Sequence, residues 1–457
     1  MSHSDSNREI ARRLAHLVSQ HGGRAYYVGG FVRDALLHQE NKDIDMEVHG
    51  IPPDRLETLL DSLGERISIG ESFGIYSLKG SSVDIAMPRK EQLRGHGHRD
   101  FDVLVDPFIG TGAAALRRDF TVNALMQDVL TGEILDHFGG LEDLKQGILR
   151  HVCDDSFAED PLRVLRCAQF AARFGFSVAE ETMSLCRQMD ISHLSRERVE
   201  GELKKALLKA DRPSVFFETL RRMNQLDFWF PEAKALIGIQ QNPKYHAEGD
   251  VWNHTMLVLD EAAKLRDRAE NPLWFMLAAL VHDFGKALST KESGGTLHAY
   301  AHEIDGLPLV ETFLQRITSE IKLIRYVLNL TQLHMKPNIA AAVNASVKST
   351  NHLFDQAVDP EGLICLAAAD DRGRITCMPS GYQEEFLLDR LRVYRAYMAR
   401  PYVMGRDLIE AGLQPGEDFS EILAYAHKLR LAGIDKENAL KQTLAYARGL
   451  RKKKPKS

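Results

Sequence analysis

Short alternations of apolar and polar residues are confined to the first third of the chain. Ala25-Tyr-Tyr-Val28, Ile44-Asp-Met-Glu-Val48, Ile75-Tyr-Ser-Leu78 and Val83-Asp-Ile-Ala86 sit between Gly-bearing turns, which predicts strands with helical patterns between some of them. From about Leu141 onward apolar residues recur almost only at spacings of three and four, as in Leu162, Leu165, Ala168 and Ala172 or Leu203, Ala206 and Leu207, the spacing of helices. The pattern predicts an α+β head with a small sheet, followed by a long helical body. Gly139-Gly140 closes the head, Asp211-Arg-Pro213 and Pro243 punctuate the helical part, and Pro379-Ser-Gly381 opens a last segment. No repeat of fixed period and no low-complexity stretch interrupts this order.

Composition narrows the class. At 457 residues and 44% hydrophobic side chains the chain can bury about three cores of ordinary size, which excludes disordered and fibrous classes. The longest apolar run, 272–281, is well short of the roughly 18 to 20 residues of a membrane span. The first residues, MSHSDSNREIARRLAHL, lack the apolar core of a secretory signal, so a mature, cytoplasmic chain is expected. Five cysteines, Cys153, Cys167, Cys186, Cys365 and Cys377, without a CxxC, argue for buried thiols rather than disulfides or a zinc ribbon. Lys+Arg 58 against Asp+Glu 64 gives −6, which excludes a protein that coats nucleic acid through net positive charge but leaves room for a local basic groove. The basic run Arg451–Lys456 reads as a solvated end.

Three clusters in the head could carry chemistry. Val28-Gly29-Gly30-Phe-Val-Arg33-Asp34 is a strand, a Gly-Gly turn and a helix start, where backbone N–H groups can approach phosphate closely; a plain tight turn is the alternative. Asp43 and Asp45 share one face of the next strand while Ile44 and Met46 point to the other. Two adjacent carboxylates repel unless a cation joins them, and hard oxygen ligands at a phosphate site suit Mg²⁺. Asp84 could bring a third carboxylate from a neighbouring strand. In Arg117-Arg118-Asp119-Phe-Thr-Val-Asn123 a helical reading puts Asp119 and Asn123 on one face, with Arg118 beside them to hold phosphate or ribose.

Together GGxVRD, DxD, RRDFTVNAL, Asp136-His-Phe-Gly139-Gly140, Glu159-Asp160-Pro-Leu-Arg163 and Ser195-Arg-Glu-Arg198-Val resemble the ordered motifs of class II tRNA nucleotidyltransferases and bacterial poly(A) polymerases. His137 stands where that family usually has Pro, which leaves Asp136 and the Phe-Gly-Gly in place. The resemblance implies a polymerase-β-like nucleotidyltransferase head, then an all-helical neck, body and tail that hold the tRNA acceptor stem. On this chain the division falls at 1–148 for the head, 149–235 for the neck and RNA-binding part, 236–378 for the body and 379–457 for the tail.

Glu159-Asp160-Pro161-Leu-Arg163 alone could be a helix opening. A carboxylate beside a guanidinium one turn on would also accept the exocyclic amine of cytosine or adenine and donate to the ring nitrogen, rejecting uracil and guanine. In the resembled family this element selects the base. Arg166, on the same helix face, would order that pair or the triphosphate.

A second constellation lies in the body. His254, then His282-Asp283 one helix later, then Asp370 resemble the H…HD…D order of the HD phosphohydrolase superfamily, which implies a divalent metal; His302 and His334 fit a further histidine-rich site. Imidazole with carboxylate suits Mn²⁺, Ni²⁺, Co²⁺ or Fe²⁺. The alternative is a buried His–Asp pair.

The reading is a CCA-adding nucleotidyltransferase. Asp43 and Asp45, with Asp84 as a candidate third, bind Mg²⁺; Gly29, Gly30 and Arg33 hold the triphosphate; the tRNA 3′-hydroxyl attacks CTP or ATP and pyrophosphate leaves. No obligate protein partner is expected. An A-adding, CC-adding or poly(A)-adding enzyme, an HD phosphohydrolase with a degenerate head, and a non-catalytic RNA-binding protein stay open as rivals.

Overall fold

The computed structural model describes residues 3–41, 43–68, 74–93, 101–376 and 382–453. Cys377, Pro379-Ser-Gly381 and the Lys454–Lys456 end of the basic run lie outside them. Cys153, Cys167, Cys186 and Cys365 are free thiols, all but Cys153 buried. Among the described residues no helix is long and apolar enough to cross a membrane. The chain forms two compact units, 1–203 with 218–225, and 204–217 with 226–457, a coarser division than the four parts expected from sequence.

The strands of the first unit are β1 (Arg24–Val28), β2 (Ile44–His49), β3 (Arg66–Ser68), β4 (Ile75–Leu78), β5 (Val83–Ala86), β6 (Arg89–Leu93), β7 (Phe101–Val105), β8 (Met126–Asp128) and β9 (Ile134–Leu135). Seven build one sheet in the order β3-β4-β5-β2-β1-β8-β9, and β6 pairs with β7. The four alternating segments are all strands of this sheet. Most of its pairs are antiparallel, but β2 and β5 run parallel, Ile44 against Val83 and Asp45 against Asp84. Alternation does what the pleat requires: Ile44 and Met46 are 2% and 1% exposed, while Asp45 points outward.

The helix Leu162–Phe174 packs on the short strands Ile148–Leu149 and Ser177–Val178, and its Val164, Leu165, Cys167, Ala168, Phe170, Ala171 and Ala172 are buried. Asp119 to Asn123 is not an α-helix. Phe120 forms a β-bridge with His151, so the chain enters only a short 3₁₀ turn, Thr121–Asn123.

The second unit is helical apart from a hairpin, Lys291–Ser293 with Thr296–His298, which the helical spacing did not predict. At its centre is Pro272–Val281, with Phe275 to Val281 all buried. Its start is fixed by Pro272 and by Asn271, whose side chain accepts from Trp274 N–H at 3.2 Å. The helices Val251–Ala263, Ile321–Leu333 and Pro360–Arg372 surround it. Farther along, Val403, Leu408, Leu413, Ile422, Ala426, Ala439 and Ala447 form a separate small core.

Candidate active sites in the head and the helical body

The face of β2 that carries exposed Asp45 continues into buried Glu47 and His49 and is preceded by Asp43; parallel register sets Asp84 directly beside Asp45. Asp43, Asp45 and Asp84 are exposed. The Asp45 carboxyl is pushed above its ordinary value, first by desolvation and then by Asp84 and Asp43, against the pull of Arg118. Like charges held together in this way are what a divalent cation relieves, so the donor set fits one.

Glu47 was not singled out by sequence. It is buried, accepts from His49 Nε2 at 2.8 Å, and lies 3.5 and 3.4 Å from the Nη2 atoms of Arg117 and Arg118. Burial opposes its ionisation, yet His49 and the two arginines bring its pKa down to about 2. Gly29 closes the same corner. Its φ of +62° suits glycine, and a Cβ there would come 3.4 Å from Arg118 Nη1. Arg118 therefore stands between the Gly29 turn, Glu47 and Asp45.

Arg33, expected to hold the triphosphate, is 3% exposed and committed elsewhere. Its Nε and Nη2 donate to Asp34 Oδ1 at 2.8 and 2.6 Å, and its Nη1 to Asn123 Oδ1 at 2.5 Å. Asn123 Nδ2 donates to Asp119 Oδ1 at 2.9 Å, and Asp119 Oδ2 receives Arg166 at 2.8 and 2.7 Å. The Phe170 ring takes both guanidinium groups, 5.1 Å from Arg33 and 5.2 Å from Arg166. Arg33, Asn123, Asp119 and Arg166 thus form one hydrogen-bonded chain, buried except at Arg166, which is partly exposed.

Asp160 and Arg163 lie at the start of Leu162–Phe174. Asp160 accepts from Leu162 N–H at 3.1 Å and from Arg198 Nη2 at 2.9 and 2.8 Å. Arg163 donates to the carbonyls of Ser156 and of Arg117, the latter at 2.7 Å. In the free protein each member of the candidate base-reading pair therefore has another partner. Asp136 accepts from the N–H groups of Phe138, Gly140 and Leu141, and His137 shares a hydrogen bond with Thr111 at 2.9 Å.

In the helical body all six expected residues come together. His254 lies on Val251–Ala263, His282 and Asp283 end Pro272–Val281, His302 opens His302–Asp305, His334 follows Ile321–Leu333, and Asp370 lies on Pro360–Arg372. The approach depends on Gly285, where a Cβ would sit 2.0 Å from the His302 carbonyl oxygen. Asp283 Oδ1 is 3.1 Å from His302 Nε2 and 3.9 Å from His334 Nε2. Its Oδ2 is 3.2 Å from His282 Nε2 and 3.6 Å from His254 Nε2. His254 Nε2 is 3.2 Å from Asp370 Oδ1.

Backbone carbonyls of Ala279, Ala299 and Thr331 take the Nδ1–H of His282, His302 and His334 at 2.8, 2.7 and 2.7 Å. Those rings must then offer Nε2 inward. His282 Nε2 is buried without a hydrogen bond of workable geometry, as suits a metal ligand. Among the described residues three triads have ligand atoms within 4.8 Å of one another: His254–His282–Asp370 and Asp283–His302–His334 at the centre, and His246–Glu248–His254 beside it. Buried Asp283 and Asp370 are held far below the usual carboxylate range, against desolvation, by neighbouring His, Lys286 and Arg374. Desolvation and the neighbouring His282 take His334 down to about 3.

The centre forms one wall of a cavity of about 370 Å³, whose lining includes Tyr245, His246, Lys286, Tyr300 and Arg374. Lys286 and Arg374 had no expected role; Lys286 Nζ is 2.7 Å from Asp283 Oδ2 and Arg374 Nη2 2.5 Å from Asp370 Oδ2. The spacing of Lys286, one turn after Asp283, could have signalled the first.

Residues 25–150 match the poly A polymerase head domain, 175–237 a probable RNA and SrmB-binding site of polymerase A, and 251–374 the HD domain. A multifunctional CCA protein of Shewanella denitrificans is 36% identical over 94% of this chain and 100% of its own length. One from Pasteurella multocida is 37% identical over 86% and 92%. Among solved structures, a Thermotoga maritima CCA-adding enzyme complexed with tRNA superposes with a TM-score of 0.61 at 21% identity, over 96% and 95% of the two chains. A CCA-adding enzyme with ATP gives 0.67 at 20%, over 98% and 95%. At these identities the likeness is one of fold.

Proposed function

The chain belongs to the multifunctional CCA protein family, and from that premise we infer that it adds C, C and A to the 3′ end of tRNA from CTP and ATP. The observation that carries the reading to this chain's own residues is the parallel register that stands Asp84 beside Asp45, with Asp43 just before the strand. These three carboxylates would hold Mg²⁺. A divalent ion there would activate the attacking 3′-hydroxyl and take up charge on the departing pyrophosphate. Arg118, at the corner of Gly29 and Asp45, is placed to meet the triphosphate, and Gly29 leaves the backbone room for it. Gly30 continues that turn.

Arg33, Asn123, Asp119 and Arg166 are assigned the task of fixing that corner. Asp160 and Arg163 are assigned base choice, which requires Asp160 to exchange Arg198, and Arg163 a backbone carbonyl, for a cytosine or adenine edge. The helical neck, body and tail, 149–235, 236–378 and 379–457, would hold the acceptor end by phosphate and 2′-hydroxyl contacts. These substrates support a cytoplasmic place of work.

The experiment is incubation of purified protein with tRNA lacking its 3′ end, ending in CC, or complete, with each labelled NTP in turn. Addition of two C and one A to the first, A alone to the second and nothing to the third supports the reading. A C-only, A-only or extended poly(A) product overturns it in favour of a sister activity.

A second reading is favoured by the six-residue cluster in the body: a phosphohydrolase centre holding Mn²⁺, Ni²⁺ or Co²⁺, whose Asp283 offers one oxygen to each of the two central triads. Such an ion would supply a nucleophilic hydroxide and polarise a phosphate ester. Lys286 and Arg374, on the cavity wall, would meet the ester's charge. Metal analysis of the purified protein tests it.

A further inference from the structure

Glu248 joins the histidine–carboxylate centre to the wall of its cavity. Its side chain is 1% exposed. Oε1 accepts from His254 Nδ1 at 3.0 Å and from His246 Nδ1 at 2.8 Å, and Oε2 accepts from Ile375 N–H at 2.9 Å. The segment carrying it is pinned on both sides. Ala247 N–H donates to the Ile375 carbonyl at 2.8 Å, and Asn253 Nδ2 donates to the Glu248 carbonyl at 3.0 Å. Asp250 caps the next helix by accepting from Asn253 N–H at 2.9 Å and also receives Gly238 N–H at 2.7 Å. The carboxylate is therefore part of a fixed frame.

An imidazole can offer its Nε2 lone pair only while its proton sits on Nδ1, so whatever accepts that proton sets the ligand's tautomer, aim and basicity. His282, His302 and His334 each rely on a backbone carbonyl. His254 has a carboxylate instead, a stronger acceptor that makes the ring a better donor to a cation. The same oxygen takes the Nδ1 proton of His246, leaving that ring's Nε2 for the cavity that His246 lines.

We propose that Glu248 is the positioning residue of the centre, fixing His254 as a metal ligand through Nε2 and presenting His246 to the bound phosphate ester. The proposal rests on the metal reading of the cluster given above. Neither Glu248 nor His246 is required by the H…HD…D pattern.

The test uses the full-length protein with Co²⁺ as the probe, following affinity by titration calorimetry and ligand geometry by the visible absorption of the bound ion. Glu248→Gln keeps the shape but weakens the acceptor. It is expected to lose roughly ten- to hundredfold in Co²⁺ affinity and to shift the absorption band, while CCA addition and melting temperature stay near wild type. His246→Asn should bind Co²⁺ as wild type does, yet lose at least tenfold in Co²⁺-stimulated hydrolysis of bis(p-nitrophenyl) phosphate. Wild-type affinity and spectrum in Glu248→Gln overturn the proposal while the metal reading stands. So does a lower melting temperature and CCA rate with unchanged Co²⁺ binding per folded molecule, which would make Glu248 a structural strut. Unchanged hydrolysis in His246→Asn overturns the His246 half alone. A wild-type protein that takes up no Co²⁺ overturns the metal reading itself, and this proposal with it.

Discussion

Arg163 donates to the backbone carbonyl of Arg117 at 2.7 Å, tying the helix of the candidate base-reading pair to the loop whose arginines meet Glu47. The residues proposed for base choice and those proposed for phosphate binding thus share one strut. Asp160→Ala should admit UTP or GTP, narrowing discrimination by about 1 to 3 kcal/mol, or roughly ten- to hundredfold, by analogy with base-edge readout. Arg198→Ala, which only frees Asp160 from its present partner, should leave selectivity intact. Competition between labelled NTPs on a CC-ended tRNA reads both. Lower activity with unchanged selectivity in Asp160→Ala would make the pair a helix cap.

Asp43→Ala and Asp45→Ala should each abolish nucleotide addition while tRNA binding stays within a few-fold of wild type. The carboxylates are exposed, so their loss should cost little stability, and the Asp45 change removes a repulsion with Asp84 as well as a ligand. Incorporation assays and a gel-shift titration separate the two effects. Near-normal turnover in either variant would sink the metal assignment.

The hydrogen-bonded chain through Asp119 gives a stability prediction with a sign. Burial pushes the Asp119 carboxyl up, but Arg166, Asn123 and the Phe120 N–H together bring it below its ordinary value. A depressed folded-state pKa adds stability that is present above the unfolded value, about 3.9, and is lost as pH falls through the folded one. Asp119→Asn should therefore melt below wild type at pH 7, and the gap should close as pH drops below about 4. Asn123→Ala leaves an Arg33 N–H without this partner and removes one of the two hydrogen bonds on Asp119 Oδ1, the other coming from Phe120 N–H, a loss of about 1 to 3 kcal/mol or more at any pH. Melting curves of the three proteins from pH 3 to 7 check both trends.

What could be read from the chain beforehand follows from the range of the interactions. Period-two alternation marked β1, β2, β4 and β5, and the same period placed Asp43 and Asp45 on one face. The same period puts Glu47 on that face too, but nothing local shows that it is buried against His49 and two arginines. The helix expected between Asp119 and Asn123 failed because Phe120 pairs with His151, a partner that local spacing cannot reveal. Arg33 looked like a phosphate ligand from its motif, yet its partner Asn123 lies 90 residues away. In the body, His254, His282, Asp283 and Asp370 were legible because motif order names them, while His302 and His334 entered only as further histidines between them. Glu248 was not legible, since six residues from His254 fits neither a helix nor a strand and only the loop through Gly249 folds it back.

The metal needs of the two centres should separate. The head offers carboxylate oxygens alone, which suit Mg²⁺, whereas the body offers imidazoles with carboxylates, which suit Mn²⁺, Ni²⁺ or Co²⁺. Asp283 is the residue on which the second set turns, since its oxygens lie 3.1 Å from His302 Nε2 and 3.2 Å from His282 Nε2. Replacing it also removes the carboxylate 2.7 Å from Lys286 Nζ, leaving that ammonium on Gln241 Oε1 at 2.8 Å, so Asp283→Asn, which keeps the volume, is the better probe than Asp283→Ala. The expected outcome is loss of bound transition metal and of any Ni²⁺- or Mn²⁺-stimulated phosphatase or cyclic phosphodiesterase activity, with Mg²⁺-dependent CCA addition within a few-fold of wild type. If His282 and Asp283 were only a core pair, wild type would carry no stoichiometric metal and the substitution would lower the melting temperature without any change in metal content. Elemental analysis and melting temperature, measured on the same preparations, distinguish these outcomes.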